Sequence, residues 1–213
     1  MKRFDAILVF ARAPVSGQVK TRLANDIGDA AALAAYERLG RACWDSVLGA
    51  RRATGCRAHV VYTPENGEAR VRGWLSEADV YEAQQGGDLG DRMSAAVAAA
   101  LGGGARRVVL VGTDCPALSA SLLVEAFAAL DDADVVLGPA TDGGYYLIGM
   151  ASACTEVFAD VPWSTARTLE VTLLRAAAAG LRVKQLERLS DVDTAADWRA
   201  WTRAATDSRI SPG

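Results

Sequence analysis

A single histidine, His59, stands in the 213-residue chain, and cysteine is scarce, with four at positions 43, 56, 115 and 154. One histidine excludes a multi-histidine metal centre and weakens any Ser-His-Asp arrangement. The cysteines form no C-x-x-C pair and no zinc pattern, and a few scattered thiols suit a reducing cytosol. An excess of positive charge is also missing. The chain carries 23 basic and 26 acidic residues, a formal net charge of −3, so nothing grips nucleic acid non-specifically. Long hydrophobic runs are absent as well. The run behind the basic N-terminus spans only Ala6 to Ala11, between Asp5 and Arg12, too short for a signal peptide or a membrane span. A soluble, cytoplasmic protein with no nucleic-acid or membrane partner is expected.

What is present is an ordinary globular composition, 51% apolar and 23% charged, at a length that suits one domain. Short apolar runs alternate with longer alanine- and leucine-rich segments. Strands are expected at 6–10, 58–62, 80–83, 107–111, 134–137, 145–149 and 182–186. Helices are expected at 30–54, with a break near Gly40 or Gly49, and at 70–77 and 91–101. A further helix capped by Ser119 would run to Leu130, one capped by Ser164 or Thr165 to Ala179, and a last one would begin at Thr194. This alternation predicts a three-layer α/β/α sandwich with a mostly parallel, Rossmann-like sheet. Residues 1–205 read as a single domain, and 206–213 as a loose C-terminal tail. In such sheets ligands bind at the carboxyl ends of the strands, so the loops there are the places to search.

The loop after the first strand holds Arg12, Pro14, Gly17, Lys20, Thr21 and Arg22. Three cations near one strand end, with a helix starting near Lys20 or Thr21, suit a di- or triphosphate. The adjacent Gly-Lys pair and the first glycine of a Walker motif are missing. Lys20 is one of only three lysines among the 23 basic residues, a hint that a compact ammonium is wanted there. A solvated turn with basic decoration is the competing reading. A second glycine-rich segment, Gly86-Gly87-Asp88-Leu89-Gly90, opens a helix. It permits close backbone approach to a nucleotide, or it is a tight turn with Asp88 and Arg92 paired across one helical turn.

The sharpest signal is Val109-Leu110-Val111-Gly112-Thr113-Asp114-Cys115-Pro116. An apolar strand runs straight into one carboxylate, and Pro116 ends the strand. Asp114 at that rim suits Mg²⁺ or Mn²⁺, which need only one or two protein carboxylates when phosphate oxygens complete the shell. A turn or capping aspartate is the alternative. Cys115 lacks an activating base and reads as a buried structural thiol. Asp142-Gly143-Gly144, between two strands, suits the hydroxyls of a sugar or acceptor and equally a plain hairpin. Asp191 and Asp193 point the same way if extended, and either complete the metal site or belong to a helix start capped by Thr194 with Asp197. Pro162-Trp163-Ser164-Thr165 offers either an aromatic pocket wall or a core tryptophan.

Taken in order, Phe10 to Leu23, Gly86 to Met93, Gly112 to Pro116, Gly138 to Gly149 and Asp191 to Thr194 resemble the nucleotide-diphospho-sugar transferase superfamily, of the GT-A type of fold. Within it the chain is most similar to the small bacterial glycosyltransferase-like family associated with arsenosugar biosynthesis. The first loop also resembles that of 2-phospholactate guanylyltransferases, where a lysine and an arginine follow a proline-containing loop. These resemblances imply metal roles for Asp114, Asp191 and Asp193. Gly112 stands where the first aspartate of a glycosyltransferase D-x-D motif would be.

The expected activity is metal-dependent transfer from a nucleotide-activated donor, first of all glycosyl transfer from a nucleotide sugar to a small-molecule acceptor. The alternatives are nucleotidyl transfer from a nucleoside triphosphate to a phosphorylated acceptor, and a non-catalytic nucleotide- or sugar-binding regulator. The expected site is Lys20 and Asp114 for catalysis, and Arg12, Gly17, Lys20, Thr21, Arg22, Gly86, Gly87 and Gly90 for nucleotide and phosphate. Asp142, Gly143 and Gly144 would bind acceptor or sugar, and Asp114, Asp191 and Asp193 would bind Mg²⁺ or Mn²⁺.

Overall fold

The computed structural model describes residues 3–210. Strands β1 (Phe4–Arg12), β2 (Arg57–Thr63), β3 (Val80–Ala83), β4 (Ala105–Val111), β5 (Val135–Pro139), β6 (Tyr145–Met150) and β7 (Val183–Gln185) form one sheet in the order β3-β2-β1-β4-β6-β5-β7. Every pairing is parallel except those of β6, which runs antiparallel to both β4 and β5. β6 returns from β5 through the short turn holding Asp142 and Gly143, which makes a hairpin, and hairpins reverse direction. The expected mostly parallel sheet is therefore present, with one reversed strand near its centre.

Helices α1 (Thr21–Ile27), α2 (Asp29–Thr54), α3 (Glu68–Trp74), α4 (Leu89–Gly102), α5 (Ala120–Ala129), α6 (Thr168–Ala178) and α7 (Ala195–Ile210) complete the described chain with two short 3₁₀ turns. Alternation along the strands divides the core. Ile7 and Val9 join Tyr36, Trp44, Trp74, Leu123 and Phe127 on one face, beneath α2, α3 and α5. Ala6 and Leu8 join Met93, Val97, Leu169 and Ala176 on the other, beneath α4 and α6. A sheet buried on both faces accounts for the unbroken apolar runs of β1 and β4, because neither face meets water. The result is the three-layer sandwich.

Three local expectations are corrected. Helix α2 is not broken at Gly40 or Gly49. At Gly40 a Cβ would lie 2.0 Å from the Trp74 ring, and at Gly49 one would lie 2.9 Å from Ala120 Cβ. These glycines let neighbouring elements approach, and Gly55, at φ 71°, ends the helix. Helix α6 begins at Thr168 with no side-chain cap, so neither Ser164 nor Thr165 caps it. Thr165 and Thr168 instead donate their hydroxyls to the carbonyl of Pro162, folding the preceding loop into a compact wall. Asp88 does not pair with Arg92. It forms a capping box with Asp91 at the start of α4, accepting the Asp91 N–H at 2.9 Å. The Ser119 cap on α5 and the Thr194–Asp197 box before α7 are present as expected. Helix α7 runs through 206–210, and residues 211–213 of the expected tail lie outside the described residues.

Helix propensity alone would make Gly40→Ala stabilising by about 1 kcal/mol. The collision with Trp74 reverses that sign, and we expect a net loss of about 1–3 kcal/mol in urea unfolding. A variant more stable than the parent would show that Gly40 has no packing role.

Candidate active site

The carboxyl ends of β1 and β4 lie side by side at the middle of the sheet. Beyond β1 the chain is held to its neighbours by backbone. Ala13 N–H donates to the Thr63 carbonyl at 2.7 Å, and the Tyr36 hydroxyl bonds both the N–H and the carbonyl of Arg12 at 3.0 Å. Buried Val19 and Leu23 anchor the far side of the loop. Between them Lys20 takes a left-handed conformation, φ 47° and ψ 45°, which a residue with a Cβ adopts only under constraint. The constraint is visible in its side chain. The ammonium donates to Asp193 Oδ1 at 2.6 Å and lies 3.1 Å from Asp114 Oδ1. The lysine side chain is 5% exposed, whereas those of Asp114 and Asp193 are 45% and 43% exposed. The cation is thus sealed beneath two carboxylates that open outward. Oδ1 of Asp114 is buried and faces the ammonium.

The late acidic segment reaches this place because it docks on the end of β4. Val192 is buried, and its N–H donates to the Asp114 carbonyl at 3.0 Å. The Cys115 thiol points to the Ser190 carbonyl at 3.7 Å. Leu189 bridges Ala140 and accepts the Thr141 N–H, which draws the β5–β6 turn and Asp142 to the same rim. Within that turn Asp142 Oδ1 accepts the Gly144 N–H at 2.8 Å, so the hairpin and rim positions coexist.

Four carboxylates and one buried ammonium set the local electrostatics. Burial pushes the Asp191 carboxyl up to about 7, and the charges of Asp114, Asp142 and Asp193 add to this while Lys20 opposes it. Burial also raises the Asp114 carboxyl above its usual value, against the pull of Lys20. Burial alone would lower the Lys20 ammonium, but Asp114 and Asp193 outweigh it and hold it above its usual value. Cys115 is pushed up to about 12, chiefly by burial, which fits an inert structural thiol. His59 is buried on β2 and lines neither chamber of the cleft described next.

The cleft has two adjoining chambers. One, of about 620 Å³, is lined by Arg12, Lys20, Thr21 and Arg22 together with Tyr36, Thr63 and Gln84. The other, of about 390 Å³, is lined by Asp142, Gly144 and Asp191 together with Tyr145, Tyr146, Trp163 and Thr165. Phe10, Arg22, Leu89, Gly112, Asp114, Ser164 and Asp193 line both. Ser164, like Lys20, holds a left-handed backbone, φ 60°.

Gly17, Gly86, Gly87, Gly90 and Gly143 are not brought into either chamber. Their small size is used for packing. A Cβ at Gly90 would lie 2.6 Å from the Trp163 ring, and one at Gly143 would lie 2.2 Å from the Ala166 carbonyl oxygen. These two glycines let the 162–167 loop settle against α4 and the β5–β6 turn. Gly17 lies beside the Asp29 carboxylate, and Gly86 and Gly87 lie against Asp91. Sequence reasoning did not single out Tyr36, Gln84, Phe10, Leu89, Met93, Tyr145 or Tyr146 as lining residues, because on apolar strands and helix faces such side chains read as core. Trp163 lines the second chamber and also meets Phe158 and Tyr145, so its wall and packing roles coexist.

Among the described residues no group of three or more His, Cys, Asp or Glu side chains is placed to hold a metal ion. Asp114 and Asp193 nevertheless present half-exposed carboxylates on either side of the Lys20 ammonium. Carboxylate oxygens are the hard donors that Mg²⁺ and Mn²⁺ take, and phosphate oxygens complete such shells. Asp114 Oδ1 is buried and turned to the Lys20 ammonium, which leaves the outward half of that carboxylate as the part open to a cation.

A three-layer sandwich carrying such a cleft at the strand ends is the nucleotide-diphospho-sugar transferase fold. A crystal structure from Desulfovibrio desulfuricans G20, described as a candidate nucleotide-diphospho-sugar transferase, is 34% identical, with a TM-score of 0.86 over 95% of this chain and 88% of that one. The chain belongs to the DUF2064 family, described as uncharacterised proteins conserved in bacteria, whose model matches residues 47–165. More distant structures share the fold alone. CMP:2-keto-3-deoxy-manno-octonic acid synthetase, solved with CTP, is 14% identical, with a TM-score of 0.61 over 96% of this chain and 99% of that one. Rv0371c from Mycobacterium tuberculosis H37Rv, solved with manganese, is 16% identical, with a TM-score of 0.56 over 93% and 98%. No curated protein matches at a significant level. Among the described residues no helix is long and apolar enough to cross a membrane.

The raised Asp191 carboxyl makes a pH prediction. The folded state holds its proton up to about pH 7 while a free aspartate releases it near 3.8. Folding is therefore favoured by this group at acid pH, and the contribution is lost as pH rises through that interval. Thermal melts of the ligand-free protein should show Tm decreasing toward neutral pH, and Asp191→Asn should flatten the slope. An equal slope in both proteins would place the strain elsewhere.

Proposed function

We propose that the protein is a divalent-metal-dependent transferase that uses a nucleotide-activated donor, and that it transfers a glycosyl group from a nucleotide sugar. The observation that carries this reading is the junction of the two chambers, where the Lys20 ammonium is packed between Asp114 and Asp193. On one side lie the cations suited to a pyrophosphate, and on the other a carboxylate-rich, aromatic-walled chamber suited to a sugar and its acceptor.

Arg12 and Arg22 would bind the donor phosphates through charge-assisted hydrogen bonds, and Lys20, buried between its two carboxylates, would add its charge from beneath. Asp114, with Asp193 and Asp191, would hold Mg²⁺ or Mn²⁺. When bound, the cation supplies neutralisation of the negative charge that collects on the departing phosphate. Lys20 serves the same end from the protein side. Its stem is buried and its backbone fixed, so the ammonium needs no reorganisation when that charge develops. Asp142 would bind hydroxyls of the sugar or acceptor, with Gly144 beside it in the lining and Trp163 shielding the chamber from water. Bond making then depends on orientation and electrostatics.

Nucleotidyl transfer is the second reading, favoured by the fold shared with a synthetase solved with CTP. The two are separated by products. A panel of nucleotide sugars and nucleoside triphosphates, with and without Mg²⁺ or Mn²⁺, should yield nucleoside diphosphate from a nucleotide sugar under our reading. Pyrophosphate release from a triphosphate would instead establish the second, and metal-independent binding without turnover would leave a regulator.

We expect Asp114→Asn to cut metal-stimulated turnover by about a hundredfold or more with circular dichroism unchanged. Wild-type rates in that variant would remove Asp114 from the chemistry. Lys20→Ala should weaken nucleotide binding by about tenfold or more in calorimetry, because Asp114 and Asp193 lose their counter-charge beside the phosphates. An unchanged dissociation constant would move the phosphate site away from the first loop.

A further inference from the structure

We propose that Lys20 keeps the paired carboxylates of Asp114 and Asp193 from taking a divalent cation alone, so that the cation enters the cleft only as its complex with the donor's pyrophosphate. This rests on reading the cleft as a nucleotide-donor site and fixes the order in which that site fills. The Lys20 ammonium lies 2.6 Å from Asp193 Oδ1 and 3.1 Å from Asp114 Oδ1. One oxygen of each carboxylate is therefore already turned to a positive charge. Two negative charges against one positive leave the trio with a single net negative charge. A cation meeting the outward halves of these carboxylates also meets the ammonium behind them, and like charges repel most where water is excluded. Among the described residues no group of three or more His, Cys, Asp or Glu side chains is placed to make up the shell. Mg²⁺ held by only one or two carboxylates takes its remaining oxygens from water and from substrate phosphates.

Lys20 is held where it is. Its backbone is left-handed, and buried Val19 and Leu23 pin the loop on either side. Moving the ammonium would leave the buried Asp114 Oδ1 without its counter-charge, which is costly. The opposing positive charge is therefore permanent, and a ligand that brings its own negative charge offsets it. The first chamber has the place for that ligand. Arg12, Thr21 and Arg22 line it, and Asp114 and Asp193 stand on its boundary with the second. A bare pyrophosphate there faces two carboxylates, and a bare cation faces an ammonium. Their complex satisfies both sides, with phosphate oxygens toward the arginines and the cation toward the carboxylates. Each partner then tightens the other's binding by the same factor. Lys20 is a positioning residue in this scheme, acting on the cation through Asp114 and Asp193.

The test uses the full chain and Mn²⁺, followed by the relaxation of water protons, which quickens when the ion tumbles with the protein. Manganese chloride and equimolar manganese pyrophosphate are titrated separately, and pyrophosphate in EDTA is titrated by calorimetry. The wild-type protein should bind the complex about tenfold or more tighter than the metal alone. Lys20→Met keeps an apolar stem and removes the charge, and it should bind Mn²⁺ alone about tenfold or more tighter than wild type. Lys20→Arg keeps the charge and should bind Mn²⁺ alone as weakly as wild type. A lysine that served only to hold the loop would give the reverse in Lys20→Met, since a loosened site binds metal less well. Equal affinity of the wild type for metal and complex would overturn the proposal, and this comparison needs no variant. Mn²⁺ alone bound no tighter by Lys20→Met, with circular dichroism unchanged, would overturn it too. Failure of both pyrophosphate and its manganese complex to bind would count against the donor site itself, whereas tight binding of the bare metal beside intact pyrophosphate binding would sink only the order of entry.

Discussion

The buried ammonium of Lys20 organises this end of the molecule. Removing a lysine charge from water is costly unless opposite charge meets it at close range. Asp193, 173 residues away in sequence, and Asp114, at the end of β4, provide that charge. To reach them the backbone at Lys20 accepts a left-handed conformation. One polar cluster thus ties together the first loop, the central strand end and the segment before α7. The backbone bond from Val192 to Asp114 and the docking of Leu189 beside Ala140 reinforce the tie without charge.

Around this cluster the cleft is divided by sign. The first loop contributes cations because it follows β1, and the β5–β6 turn and the 190–193 segment contribute carboxylates because they flank β4 on the far side. The sheet order, with β6 inserted between β4 and β5, sets these two groups on opposite sides of Asp114. Under the proposed function, a pyrophosphate-bearing donor would meet the cations of the first loop.

The glycines show how packing and site are linked. Gly90 and Gly143 make room for Trp163 and for the carbonyl of Ala166, so the 162–167 loop can lie flat over the second chamber. A side chain at either place would push that wall outward. These glycines were read from the sequence as ligand contacts, since close approach is the same property whether the approaching group is a nucleotide or an indole.

Much of the framework was legible in the amino-acid sequence. The apolar runs of β1 and β4, the alternation with alanine-rich helices, the Ser119 and Thr194 caps and the acidic end of β4 are local signals with a fixed period or a fixed spacing. The bonding between Lys20, Asp114 and Asp193 was not, because side chains far apart in the chain leave no mark of their contact in either segment. Nor was the role of Gly40, whose meaning depends on an indole from α3. Periodicity and capping act within a few residues and so determine which elements form. Charge pairing and close packing act only after those elements meet, and the tertiary structure alone decided where the ammonium is held, which glycines face ligand space, and how the cleft is divided between positive and negative.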